Sequence, residues 1–216
     1  MTIEVALDVI FADDFLVVLN KPSGLLSVPG KGPDKQDCLS SRVQAIYPDA
    51  LVVHRLDMST SGLLVFARGI PAQRALNQAF ATRAVTKRYE AVVSGLAEQT
   101  TEPWRTIDLP IIVDWPNRPL RIIDFDRGQP SVTRLQCLHY DAQANTTRVA
   151  LEPVTGRSHQ LRIHLQAIGN PILGDTLYAP PEVAEQAPRL LLHAYALCVP
   201  HPVSGKAMAF ECPAEF

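Results

Sequence analysis

Beyond Pro119 the chain is dominated by short β-rich runs, several of them joined by connections of only hairpin length. "PLRIID", "SVTRLQCLHY", "TTRVALEP", "LLLHAYALCVP" and "KAMAFEC" occur in that order, the last two linked by the turn-like "HPVSG". Parallel neighbours need a crossover of about a dozen residues or more, so hairpin-length connections force antiparallel pairing. The pattern predicts an α+β fold, a mixed but mostly antiparallel sheet flanked by helices and loops, rather than repeated βαβ units. Upstream, "FLVVLN" reads as a buried strand entering the "KPSG" turn, and "GLLVFA" and "YEAVVSG" read as further strands. Between these, Ala72, Ala75, Leu76, Ala79 and Phe80 recur at the spacing of one face of an amphipathic helix. A second helix is predicted over "SHQLRIHLQAIG", with Leu161, Leu165 and Ile168 as its core stripe and Gly169 in the left-handed position just past its end.

With 216 residues, 47% of them hydrophobic, the chain can bury the core of one catalytic-size domain. Its 18 prolines are spread along the whole length, and no repeat, low-complexity tract or Gly/Ser linker marks a boundary, so a single domain over 1–216 is expected. The formal net charge of −2 means that nucleic acid would have to be held by a local basic patch. Cys38, Cys137, Cys198 and Cys212 are scattered singly without zinc-site spacing, which predicts core thiols in a reducing compartment. The N-terminal "MTIEVALDVIFADDF" carries four acids and no basic region. Apolar runs elsewhere stop well short of about 18 residues, so a soluble cytoplasmic protein without membrane contact is expected.

The chemistry concentrates in three segments. In "VVHRLDMSTSGLLVFAR", Asp57 follows His54 and Arg55 and precedes Thr60, Ser61 and Gly62, placing a carboxylate on a turn anchored by an apolar strand. It could serve as nucleophile or general base, or simply bond its own backbone as an Asx-type turn residue. In "TKRYEAVVSG", Tyr89 lies beside Lys87 and Arg88, which could set a ring against a base and cations against phosphates; a core tyrosine is the alternative. In "LEPVTGRSHQLRIH", Arg157, Gln160 and His164 are expected on one polar helical face, with Arg162 on another side. His159 and His164 are five apart rather than at the i, i+4 spacing of H-E-x-x-H, so no metal site is expected. A buried Arg157 would need a carboxylate partner, and Asp57 is the candidate.

"NKPSGLLSVPG", "HRLDMSTSGLLVFA", "KRYEAVVSG", "LEPVTGRSHQLRIHLQAIGNPILGDTLY" and "LLLHA", in this order, resemble the RluA family of pseudouridine synthases over about Phe15 to Pro213. The resemblance implies a pseudouridine synthase catalytic fold that works without a cofactor or metal. It makes Asp57 the catalytic aspartate, Tyr89 the ring stacked on the target base, and Arg157 the ion-pair partner of Asp57. Arg55 would enter the helical stack as the uridine leaves, with His54, Arg83, Lys87, Arg88 and Arg162 as further RNA-binding candidates. Many members carry an N-terminal S4-like RNA-binding domain, whereas this chain begins almost at once with the catalytic segment. RNA selection is therefore expected to come from the catalytic domain itself, and a monomer is expected. "DLPIIVDWPNRP" narrows the likeness to a subgroup acting on both the tRNA anticodon loop at position 32 and 23S rRNA at position 746.

Such a reaction breaks the N1–C1′ glycosidic bond, turns the uracil and rejoins it through C5, with no external donor. A carboxylate can serve it by adding covalently, by stabilising the electron-poor sugar carbon, or by removing a C2′ proton. An adjacent guanidinium would keep that carboxylate ionised, and its permanent charge suits the task better than a lysine. Flipping the uridine costs a few kcal/mol, of which stacking on an aromatic ring returns about 1–3 kcal/mol. Two rival readings use the same residues. A glycosidase normally needs a second carboxyl, which the Asp57 motif lacks. A non-catalytic RNA-binding protein has no use for a desolvated carboxylate facing phosphates.

Overall fold

The run Leu16–Leu19 has no solvent face: all four side chains are fully buried, so the strand needs cover on both sides. The computed structural model describes residues 7–98 and 102–216; the first six residues of the acidic N-terminal segment lie outside these. In chain order the elements are β1 (Val9–Ala12), β2 (Leu16–Lys21), α1 (Leu39–Ile46), β3 (Ala50–Val52), β4 (Ser61–Arg68), α2 (Ile70–Ala81) and β5 (Thr86–Ser94). They continue as β6 (Arg105–Asp108), β7 (Ile111–Val113), β8 (Arg121–Ile123), β9 (Val132–Asp141), β10 (Thr146–Pro153), α3 (Gln160–Ala167), α4 (Pro181–Ala184), β11 (Leu192–Pro200) and β12 (Ala207–Glu211). The chain divides into two compact units, Met1–Lys87 with Ala194–Glu215, and Arg88–His193 with Phe216.

In the first unit, β2 pairs antiparallel with β1 and β4, and β3 adds to β4. Helix α2, opened by Gly69 and Pro71, buries Ala72, Leu76 and Ala79. These pack with Leu16, Val18, Leu63 and Val65 in one apolar cluster, joined by Leu197 and Phe210 of the β11–β12 hairpin. The second unit is built on the antiparallel order β5-β10-β9-β6, in which Tyr89 stands opposite Leu151 and Leu151 opposite Leu135. A separate two-stranded ladder, β7–β8, belongs to the same unit. All these pairings are antiparallel, and an isolated parallel bridge joins Leu26 to Cys38, in keeping with the mostly antiparallel sheet expected. No helix among the described residues is long and apolar enough to cross a membrane.

Helix α3 departs from expectation at its start. His159 adopts a left-handed conformation (φ 59°), so the helix begins at Gln160 and Arg157 lies outside it, on the preceding turn. The other end follows the sequence: Gly169 takes φ 85°, its N–H bonding Gln166 O and the Asn170 N–H bonding Leu165 O, the pairing of a Schellman termination.

Candidate active site

Asp57 sits half-buried on the loop between β3 and β4, and that loop is tied to the Pro22–Ser27 segment by its backbone. The Ser27 hydroxyl donates to Leu56 O at 2.6 Å and accepts the Leu56 N–H at 3.1 Å. The Ser23 hydroxyl donates to Ser59 O at 2.7 Å, and the Gly24 N–H to Met58 O at 2.8 Å. The turn itself closes with the Thr60 N–H on Asp57 O at 3.1 Å. Gly62 then passes so close to the strand of Ala194 that an added Cβ would meet the Ala194 carbonyl oxygen at 2.4 Å.

Beneath the loop lies a residue that its sequence position disguises. Lys21 is 0% exposed, and its Nζ donates to Pro22 O, Leu25 O and Met58 O at 2.8, 2.7 and 3.0 Å. Burial pulls its pKa down to about 8, and the negative Asp57 carboxylate partly opposes that fall. The ammonium thus ties both sides of the loop together and supplies positive potential at Asp57. A lysine behind an asparagine at the end of four apolar strand residues reads as the solvent end of a strand; the only hint was that the next residue is a proline, which turns the chain back over it.

His54 and Arg55 point to different environments. Arg55 is exposed. His54 is turned inward: its ring stacks on Phe80 at 4.7 Å, and Nε2 accepts the Val65 N–H at 3.1 Å, leaving the proton on Nδ1. Burial, and secondarily the Lys87 ammonium, pushes its pKa down to about 3. His54, expected among the RNA-binding residues, is instead turned inward as a neutral ring that braces β4. Arg83 is exposed in a left-handed conformation (φ 59°) after α2, and Lys87 is half-buried with its pKa lowered by burial.

In the second unit, Tyr89 is 9% exposed at the centre of β5. Arg88 is engaged with Glu152 at 2.8 Å and lies 4.5 Å over the Trp104 ring, so its charge is already paired within the unit. Arg157 is exposed, with its backbone N–H held by Gln160 Oε1 at 3.0 Å. The polar face expected on α3 is in fact interior. Gln160 is 3% exposed and donates to Val132 O and Thr133 Oγ1 at 2.9 and 3.0 Å. His164 is 0% exposed; its Nε2–H donates to Leu109 O and its Nδ1 accepts the Thr133 hydroxyl, both at 2.9 Å. Burial lowers the His164 pKa. These side chains tie β9 and the end of β6 to the turn that presents Arg157.

Arg162 requires a second correction. It is 3% exposed, and its guanidinium meets Asp175, itself 1% exposed, through two hydrogen bonds of 2.8 and 2.6 Å. A buried, forked ion pair of this kind is costly to open, so Arg162 belongs to the scaffold and not to an RNA surface.

Comparison with known proteins agrees with this architecture. The family model described as RNA pseudouridylate synthase matches residues 15–167. The dual-specificity RNA pseudouridine synthase RluA of Escherichia coli strain K12 is 48% identical over 208 residues, covering 96% of this chain and 93% of that protein. The protein of the same name from Yersinia pestis is also 48% identical, covering 96% of this chain and 99% of its own. Among solved structures, human RNA pseudouridylate synthase domain containing 1 matches with a TM-score of 0.78 at 28% identity, over 97% of this chain and 84% of the human one. Human RNA pseudouridylate synthase domain containing 4 matches with a TM-score of 0.75 at 25% identity, over 95% and 88%. The chain belongs to the RNA pseudouridylate synthase family, enzymes that isomerise uridine to pseudouridine within RNA.

Proposed function

We propose that Asp57 is the catalytic carboxylate of this isomerisation, that Tyr89 stacks on the target base, and that Arg157 is the cation that keeps Asp57 ionised. The observation that carries the reading is the Asp57 loop itself, a half-buried carboxylate on a backbone fixed by Ser23, Gly24, Ser27 and the buried Lys21. Such fixation holds a group in the geometry of the transition state without reorganisation at the moment of reaction. The target uridine leaves its stack, and the exposed Arg55 fills the space it vacates. The N1–C1′ bond breaks, the uracil turns, C5 bonds to C1′, the C5 proton departs to a base, for which the Tyr89 hydroxyl is the candidate, and the freed N1 takes up a proton. Nothing is gained or lost overall.

The substrates in this reading are the tRNA anticodon loop at position 32 and the 23S rRNA hairpin at position 746. Supporting this double choice, the relatives covering nearly the whole chain are themselves described as dual-specificity enzymes. Arg83 and Lys87 join Arg55 in holding RNA, and the chain acts as a monomer. The test is Asp57→Asn with both stem-loops, following tritium release from C5-labelled uridine together with RNA affinity. The variant should bind within a few fold of the parent and release no tritium. Turnover by Asp57→Asn would overturn the assignment, and parent protein that binds but never releases tritium would overturn the activity.

A further inference from the structure

Within the second unit the β7–β8 ladder carries side chains that its own packing does not use. Its loop, Asp114 to Leu120, is closed by the Asp114 N–H on Leu120 O and the Leu120 N–H on Asn117 O, both at 3.0 Å. Asn117 Nδ2 donates to Asp114 Oδ2 at 2.9 Å, and Pro116 and Pro119 further restrict the backbone. On this rigid loop Trp115 is 65% exposed, with the Arg118 guanidinium 4.3 Å from its ring centroid. Just past β8, Phe125 is 77% exposed. An indole and a phenyl ring left in water forgo the gain of burial.

The placement of this loop is fixed as well. Arg121 forms the last ladder pair before the loop, opposite Val113, and its N–H donates to the Tyr178 hydroxyl at 3.0 Å. That hydroxyl is hydrogen-bonded at 2.6 Å to His159 Nδ1, two residues from Arg157. The buried Arg162–Asp175 pair holds Tyr178 in turn: Asp175 Oδ1 accepts the Tyr178 N–H at 3.2 Å, and the Arg162 guanidinium lies 5.1 Å over the Tyr178 ring. The loop end of the ladder is therefore rooted on the turn that presents Arg157.

We propose that Trp115 and Arg118 form a stacking site for an unpaired base of the RNA substrate, outside the target uridine. The proposal rests on the RNA-isomerase reading above. A planar ring beside a planar cation offers two surfaces on which any base can stack, and a base of single-stranded loop RNA presents the face they need. A protein partner would be better served by a continuous apolar patch, whereas here Asp114, Arg118, Arg121, Asp124 and Arg127 interleave with the rings.

The test compares Trp115→Ala, Trp115→Phe and Arg118→Ala with the parent on an anticodon stem-loop RNA, measuring Kd and the kcat and KM of pseudouridine formation. Loss of the stack should raise Kd and KM for Trp115→Ala by about 10-fold or more. Trp115→Phe should recover most of that loss, and Arg118→Ala should fall between. In a Trp104→Phe background, RNA should quench the remaining indole fluorescence of Trp115. A Kd for Trp115→Ala within twofold of the parent, with no quenching, overturns the stacking site while leaving the isomerase reading intact. If Trp115→Ala instead abolishes a self-association of the parent seen by sedimentation and leaves RNA affinity unchanged, the rings are a protein contact and the proposal fails. Parent protein that binds the RNA with quenching but forms no pseudouridine refutes the activity and not the site.

Discussion

Replacing Lys21 by methionine isolates the buried charge beneath Asp57. At neutral pH two effects oppose one another. Removing the ammonium relieves its desolvation, but Pro22 O and Leu25 O lose a donor, at a cost of up to about 1–3 kcal/mol for a carbonyl that water does not reach. Met58 O keeps the Gly24 N–H. The net offset is thus a small difference of similar quantities, and the pH dependence is the sharper measurement. The folded pKa of about 8 lies below the ordinary 10.5, so between those values the unfolded chain binds more protons and stability rises with pH. From pH 7 to pH 10 this linkage adds roughly 2–3 kcal/mol to the parent and nothing to Lys21→Met. Urea unfolding of both proteins at the two pH values, followed by a probe in the first unit, cancels every other titrating group in the difference. Curves for parent and variant that run parallel to within about 0.5 kcal/mol would refute a buried, charged Lys21.

Other consequences follow from the same geometry. His54, held neutral by burial, should keep its Nδ1–H tautomer in nitrogen-detected NMR down to about pH 4. Because its folded pKa of about 3 lies below the ordinary 6.5, the unfolded chain binds the extra proton in that window, and His54→Phe should soften the loss of stability on acidification. Arg162→Met leaves Asp175 buried without its partner and should cost about 3–5 kcal/mol in urea unfolding, whereas Arg157→Met, at an exposed position, should cost under about 1 kcal/mol. Gly62→Ala meets both a φ of 113° and the Ala194 backbone at 2.4 Å, and its thermal midpoint should fall by more than that of Gly24→Ala, which meets nothing within 4 Å.

What could be read from the sequence was what depends on local pattern. Strand β4 is a run of apolar residues behind a Thr-Ser-Gly turn, so Asp57 could be placed at the head of a buried strand without knowing its partners. The stripe of Ala72, Leu76 and Ala79 follows from helical period alone. Short elements such as β3 and β6 carry three and four residues and owe their pairing to long-range neighbours, which no local window contains. The placement of the arginines relative to the helix was hidden for a related reason. Periodicity placed Arg157 and Arg162 on one continuous helix, but a single left-handed residue, His159, ends that continuity and frees Arg157 to the surface. Arg162 goes inward because Asp175, thirteen residues later, arrives with both oxygens in position to meet it. Lys21 shows the limit most plainly. Its burial is offset by three backbone carbonyls, and carbonyls are present at every residue of every sequence, so only the path of the chain reveals that they converge. Side chains that contribute through backbone partners leave little trace in composition or spacing, and in this protein they are the ones that hold the proposed catalytic aspartate in place.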